Sequence, residues 1–586
     1  MFGIQDKTLM GMHADYEINK DFVIGATLLR LSEAPYVNKI NAGDEPISNT
    51  MIGIDGTYQS ESPFITKMVD KLPFLETKAT SRIIATGEIA RLIPGHHRRI
   101  DNGEGGTSYI DDFEASRSSI DMKNVRSWEL ASIPQDDPNT VPRFENSNQN
   151  DTISIGFRRA KLAWYTIDPS VFFRTSSVTP PGVDNKVSLP NGGQVSQQSY
   201  HYSREILEKE VFPNKDPQYG SQITNLSILD LAYYPEERGP YNYTVQGLNS
   251  DGTLMNPSKN WAGIMRKVET NDFETANIEF VEFWMMDPFN LEDGNTNHSG
   301  GDIYIHLGNV SEDVLKDGYK SFENGLPISS NVINVDTTAW GRVPTNYSVV
   351  DAFDNDPNSR EYQDVGLDGL GDNDERIFFD SIYIQKIANN PALGISSIAY
   401  QNAINDPSGD NFHYFRGTDF DNDETSILSR YKDFNNMDGN SSTTEQSIES
   451  YSTSATSVPD SEDLNKDNTL GESESYFEYK IRLSPQTMDI SNPYISDVLE
   501  TTVATENGDD RPIKWYQFRV PVYKPDKTIG GIQDFKSIRF MRMVFADFQQ
   551  PIVCRFATLD LVRGEWRRYN FDLATPGEYI PIDDGG

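Results

Sequence analysis

Apolar and polar side chains alternate along four stretches within the first 93 residues, and nothing later in the chain repeats that regularity. In the first stretch Met10, Met12, Ala14, Tyr16 and Ile18 fall on one face of an extended strand. Gly11, His13, Asp15 and Glu17 fall on the other, because successive strand residues point to opposite sides. Ile52, Ile54, Gly56 and Tyr58 oppose Gly53, Asp55, Thr57 and Gln59 by the same rule. Ile83, Ala85, Gly87 and Ile89 oppose Arg82, Thr86 and Glu88, with Ile84 out of pattern. The stretch from Phe22 to Leu31 is mixed, but Asn19, Lys20 and Asp21 before it carry the polar turn chemistry of a hairpin. A strand with one oily and one wet face can lie over an ordinary core or stand in a membrane barrel, and the pattern alone leaves both open. Between the third and fourth stretches Phe64, Ile65, Met68, Val69 and Leu72 have helical spacing and predict a short helix.

From Pro94 onward the chain reads as short apolar strands separated by loops rich in Gly, Pro, Asn and Asp, the pattern of a β-sandwich or jelly roll. The clearest predicted strands are Ile278 to Met286, Ile303 to Leu307, Ile377 to Ile384, Tyr476 to Leu483, Trp515 to Val522 and Phe535 to Phe545. One short helix is expected at SEDVLKDGYK, capped by Ser311. Two passages share a plan of aromatic strand, turn and second strand: FETANIEFVEFWMMDPF with DIYIHLGNV, and FKSIRFMRMVFADF with PIVCRFATLDLVRGEWRRY. Both resemble late strands of carbohydrate-binding jelly rolls, with the acidic segment Tyr109 to Glu114 near a first strand, although a plain structural sandwich is the favoured reading. The expected organisation is a strand segment at 1–93, a first sandwich-like half at 94–350, long Asp- and Asn-rich loops within 351–475, and second sandwich-like strands at 476–586.

Charge narrows the partners. Asp and Glu number 89 against 51 Lys and Arg, a formal net charge of −38, which repels nucleic acid and anionic headgroups. Cys554 is the single cysteine and lies in a strand-like run, so it reads as a buried apolar residue. No run of eighteen apolar residues is present to make a transmembrane helix. The opening MFGIQDKTLMG has neither the basic region nor the apolar run of a secretion leader, so residue 1 reads as an internal start in a longer polypeptide.

Acidic side chains at alternate positions can surround a hard cation with oxygens, and calcium tolerates such flexible geometry. Asp463, Asn465 and Asp467 form one such set, Asp419, Asp421 and Asp423 a second, and Asp368, Asp372 and Asp374 lie in a Gly-rich turn. Each is a candidate calcium loop, and a solvated acidic loop is the plain alternative. His96 and His97 are adjacent and point apart on a strand, so the HHRR run reads as a loop at a barrel rim. No nucleophile elbow, zinc-protease, phosphate-loop or paired-cysteine motif occurs, and no catalytic residue is assigned.

Taken in order, GDEPISNTMIGIDG (43–56), PFITKMVDKLPF (63–74), YIDDFE, LDLAYYPEERGPYNYT (229–244), WAGIMR (261–266), EFWMMDPF (282–289), QDVGLDGLGD (363–372), PDSEDLNKDNTL (459–470), NPYISD (492–497) and LVRGEWRRY (561–569) resemble the SprA/Sov family. The resemblance implies an outer-membrane translocon of the type IX secretion and gliding-motility system of Bacteroidota, of which this chain would be a fragment. It implies a very large single-chain β-barrel for protein transport to the cell surface, with a PorV-type shuttle protein at a lateral opening, a plug protein below and secreted cargo as partners. It implies no enzyme activity and no organic cofactor.

With that resemblance the four stretches become barrel strands in outer-membrane lipid. Short turns of such barrels are periplasmic, so the turn at Asn19 to Asp21 puts the chain leaving the fourth strand outside, and the large domain is expected to be an extracellular cap or docking domain. A cell-surface adhesin or carbohydrate-binding jelly roll is the alternative reading, and a hydrolase with an unmarked carboxylate pair is a third.

Overall fold

Alternation in the first stretches becomes four long strands, β1 (Lys7–Asn19), β2 (Phe22–Glu33), β3 (Ser48–Glu61) and β4 (Arg82–Ile93), in one antiparallel sheet of that order. The register sets like beside like. Met12, Leu28 and Ile52 form one row that ends on Arg91 of β4, Ala14, Ala26, Ile54 and Ile89 the next, and Tyr16, Ile24, Gly56 and Gly87 the next. The opposite face carries the row Asp15, Gly25, Asp55 and Glu88 and the row Glu17, Val23, Thr57 and Thr86. A one-residue slip would exchange the two faces, so the shared pattern of four strands fixes the pairing. Gly25 is required here by its neighbour: a Cβ at this position would lie 2.5 Å from the Asp55 carboxylate oxygens. The expected helix forms at Pro63–Val69, with the Ser62 hydroxyl accepting from the Ile65 N–H at 3.4 Å.

The computed structural model describes residues 7–33, 48–69, 71, 80–93, 95, 119–136, 142–150, 152–173, 179–213, 225–290, 297–323, 334–345, 352–354, 356–360, 362–434, 447–451, 453, 459–505 and 508–564. The expectations for Leu72, His96, His97 and Tyr109 to Glu114 lie outside them. The chain divides into two compact units, one of Met1–Ser116, Phe212–Thr224 and Glu565–Gly586, the other of Arg117–Val211 and Asn225–Gly564.

The larger unit is a sandwich. Its strands before residue 350 are β5 (Ser119–Asp121), β6 (Glu129–Leu130), β7 (Ala160–Tyr165), β8 (Lys186–Ser188), β9 (Gln194–Ser196), β10 (Leu229–Arg238), β11 (Trp261–Lys267), β12 (Ile278–Met286), β13 (Gly301–Asn309), β14 (Val335–Thr337) and β15 (Arg342–Pro344). Those after 470 are β16 (Ser475–Leu483), β17 (Ile495–Ala504), β18 (Asp510–Pro521), β19 (Lys527–Ile529), β20 (Phe540–Ala546), β21 (Ile552–Phe556) and β22 (Asp560–Arg563). One sheet runs β17-β18-β12-β21-β10-β7, with β22 beside β12 and β5 beside β22; the other runs β19-β16-β13-β20-β11-β6. The two passages with a shared plan therefore interleave in the same two sheets. Tyr233 on β10 meets Phe545 on β20 at 5.7 Å between ring centroids and Phe548 at the same distance, closing one sheet over the other. Phe283 stacks on Phe518 at 4.8 Å, and Cys554 is buried and free, as its strand setting predicts.

Three expectations change. Ile377 to Ile384 is not a strand: the helix Asp372–Phe378 runs into a π-turn at Asp380–Ile384. Asp372, Asp374 and Glu375 in the first turn suit a helix N-terminus, and Phe379, Tyr383, Ile384 and Ile387 are buried at helical spacing. SEDVLKDGYK is not a helix, because carboxylates take its backbone donors. Glu462 accepts from the N–H of Val314 and Leu315, and Asp313 accepts from the N–H of Asp317 and Gly318. Finally, short helices interrupt the loops of 351–475, with Pro357–Arg360, Gln385–Ala388, Ile398–Asn405, Thr418–Asn422 and Ile427–Arg430 joining the helix above. Tyr243, stacked on Phe379 at 4.2 Å and tilted against Trp340, ties this layer to the sandwich.

Candidate functional site: a sheet face and a buried carboxylate cluster

The face of β1–β4 that the alternation made apolar is bare. Met10, Met12, Tyr16, Ile54 and Ile89 are all exposed, Tyr16 at 72% and Ile89 at 78%, and Leu28, Ile52, Tyr58 and Ile83 extend the patch. An apolar surface of this extent on a described sheet calls for a covering medium or partner. On the other face the His13 ring lies 2.7 Å from the Thr27 hydroxyl and 3.0 Å from Asp15, a wet, hydrogen-bonded surface. Strands of twelve to fourteen residues are about 40–46 Å long, and at a tilt near 45° they rise about 30 Å, the height of a hydrocarbon core. No described helix is long and apolar enough to cross a membrane.

The candidate calcium loops take different forms. Asp463 accepts from the N–H of Asp467 and Asn468 and sits 3.3 Å from the Lys320 ammonium. Asn465 accepts from the Asp467 N–H at 2.8 Å, and Asp467 accepts from the Thr469 N–H and hydroxyl, which hold its carboxyl below the usual range. These side chains close a set of turns on the backbone, with Lys320 as the nearby cation. Asp419 and Asp421 lie on the helix Thr418–Asn422 and Asp423 caps it. Alternate positions on a helix point nearly opposite ways. Asp419 accordingly meets His413 at 2.8 Å and Asp421 meets Arg430 at 2.9 Å, so this set does not converge. Asp372 and Asp374 are on the helix after the Gly-rich turn, where Asp374 pairs with Arg342 at 2.7 Å.

Asp368 has other company. Its carboxylate, that of Glu375 and that of Asp410 are all buried, and one oxygen of each lies within 4.8 Å of the others. Three elements bring them together: the turn containing Gly366 and Gly369, the helix Asp372–Phe378, and the loop after Ile398–Asn405. Gly366 has φ +72° and a Cβ there would strike Asp410 Oδ2 at 2.0 Å, so the turn needs glycine on both counts. Ser408 stands among the acids: its N–H donates to Glu375 Oε2 at 3.0 Å and its hydroxyl to Asp368 Oδ2 at 2.5 Å. The Leu370 N–H donates to Asp368 Oδ1, whereas Glu375 Oε1 is buried and accepts nothing. Burial first, and the neighbouring carboxylates after it, push Glu375 up to about 9 and Asp368 well above its usual range. A cleft of about 490 Å³ is lined by Arg238, Tyr383, Asn402, Asp406 and Gly409 among others, so the loop carrying Ser408 and Asp410 forms part of its wall. Sequence reading singled out Asp368 and missed Glu375 and Asp410; the signal at hand was the pair of glycines around Asp368.

Inside the sandwich a second polar network is fully paired. Arg542 Nε donates to His306 Nδ1 at 3.0 Å, which leaves His306 Nε2–H to donate to Glu478 at 3.1 Å. Arg143 reaches the same carboxylate with two bonds of 2.9 and 3.0 Å. Burial opposes ionisation of Glu478, but the His306 hydrogen bond and the Arg143 guanidinium outweigh it and hold the carboxyl at about 2. Burial and the Arg542 charge hold His306 at about 4, so it is neutral at pH 7.

Comparison with known proteins gives one family. The sequence pattern of SprA_N, described as motility related/secretion protein, matches residues 382–583, which include Asp410 and the strands β16–β22. No curated protein matches the chain.

Proposed function

The chain belongs to the SprA family of motility-related and secretion proteins, and from that premise we propose that it is part of a protein-conducting outer-membrane translocon for type IX secretion. Strands β1–β4 are its membrane-spanning piece, and the sandwich is an extracellular cap or docking domain that meets a shuttle protein, a plug protein and cargo. The work is conduit and docking, not catalysis. The single observation that supports this reading most is the bare apolar face of β1–β4, aligned in register across four strands and backed by a hydrogen-bonded polar face. Lipid on one side and a water-filled lumen on the other would satisfy both faces. β1 and β4 each have one strand neighbour among the described residues, and open edges in lipid cost several kcal/mol per unpaired group. Further strands must therefore close the barrel.

The side of the sandwich follows from parity. The β1–β2 connection is a two-residue turn in which Asn19 accepts from the Asp21 N–H at 2.9 Å, and the β3–β4 connection is at the same end of the sheet. If that end is periplasmic, the chain leaves β4 on the external side. Protease added to intact cells should then cut within 405–470, with cells lacking the shuttle protein as the control for shielding. Cleavage confined to cells with an opened outer membrane would reverse the topology. Unchanged cargo export and membrane assembly after placing arginine at Ile54 and Ile89 would sink the translocon reading itself.

A further inference from the structure

We propose that Asp368, Glu375 and Asp410 bind a divalent cation of the calcium class. The donors are oxygens alone, the set that hard cations prefer. Two oxygens on opposite sides of a calcium ion are about 4.8 Å apart at a bond length near 2.4 Å, so the spacing of the three ligand oxygens lies within one coordination sphere. Magnesium holds its ligands near 2.0 Å and retains several waters, which suits an enclosed carboxylate trio less well.

An independent observation points to a ligand. Glu375 is fully buried, and its Oε1 accepts no hydrogen bond although the same carboxylate holds the Ser408 N–H through Oε2. Native proteins rarely leave such an oxygen without a partner. The Arg238 guanidinium donates to the carbonyls of Asn242, Asp406 and Pro407 rather than to this oxygen.

The location gives the ion a structural task. Its three ligands come from a turn, a helix and a loop in a region of short helices. Joined by one ion, these elements become a single block against Tyr243 and the sandwich. Metal binding of this kind adds to folding stability directly.

The test uses the full chain in detergent, stripped with a chelator and then given calcium alone or magnesium alone. Wild type should retain one calcium per chain by elemental analysis after desalting, and its melting temperature should rise by about 3 °C or more at saturating calcium. Glu375→Gln should lose both the ion and the shift, yet melt no lower than wild type in chelator, because the amide fills the same space and its oxygen still accepts from the Ser408 N–H. Asp467→Asn should keep ion and shift, which separates this site from the 463–467 loop. Wild type that carries no ion and melts alike with and without calcium would overturn the proposal, as would a shift retained in Glu375→Gln. If Glu375→Gln does not fold, wild type decides alone: a retained calcium together with tyrosine-sensitised terbium luminescence that calcium displaces supports the site, and the lack of either overturns it.

Discussion

β4 and β20 are both rich in apolar residues, and they meet opposite fates. All seven residues of β20 are buried between neighbours β11 and β13 and under Tyr233, whereas β4 is exposed along nearly its whole length. In β20 both faces are covered by protein, so the run FMRMVFA need not alternate; in β4 Ile83, Ala85, Gly87 and Ile89 gather on one side and Arg82, Thr86 and Glu88 on the other. Alternation thus marks where a sheet meets two different media. Its absence marks where protein fills both sides.

Truncation in the sandwich should have the largest effect. Phe545→Ala is expected to cost about 3–5 kcal/mol in denaturant titration of the full chain, through lost burial and a cavity against Tyr233 and Phe548. A loss under about 1 kcal/mol would mean the two sheets are not closed over one core. On the sheet face, Ile54→Arg should cost about 2–4 kcal/mol of membrane assembly, read by heat-modifiable migration of the envelope fraction. Wild-type assembly by this variant would show that water, not lipid, covers that face.

Acid separates the two regions more gently. His306 and Glu478 both take up protons less readily folded than unfolded. The unfolded chain therefore binds more protons, and stability falls as pH drops from about 6.5 towards 4 for His306, and from about 4.5 towards 2 for Glu478. One proton gives a slope of up to about 1.4 kcal/mol per pH unit. His306→Gln, which keeps a donor for Glu478 and cannot titrate, should flatten the upper part of that profile in calorimetry; an unchanged profile would place the acid sensitivity elsewhere. The smallest effect is a helix cap. Ser397 accepts from the Tyr400 N–H at 3.0 Å, and Ser397→Ala should cost about 1 kcal/mol in the same titration. No measurable change would mean that this helix contributes little to the unit.

All four stretches were legible as strands, and three of them with their faces, because a period of two survives in the sequence wherever one face differs from the other; Phe22 to Leu31 read as mixed. Five of the six strands read in the sandwich region are present, though the last begins at Phe540 rather than Phe535. The helical layer was not legible: its helices span four to eight residues, too few for a 3.6-residue period to repeat. SEDVLKDGYK carried a good local helix signal that lost to Glu462, a residue far along the chain that claims two of its N–H groups. The acidic cluster failed for a related reason. Asp368 looked to Asp372 and Asp374 by proximity, but the fold pairs it with Glu375 and with Asp410 from beyond another helix.

The interleaved order of the sandwich has a consequence for synthesis. β20 pairs with β11 and β13, and β21 pairs with β10 and β12, so central strands of both sheets leave the ribosome long after the strands they pair with. Until then β10, β11, β12 and β13 lack the partners that complete their hydrogen-bond ladders, with apolar faces and open edges presented to any other chain nearby. Contacts this distant in sequence slow folding and lengthen that exposure. A nascent chain of this design depends on being held unfolded, or shielded, until β20 and β21 arrive.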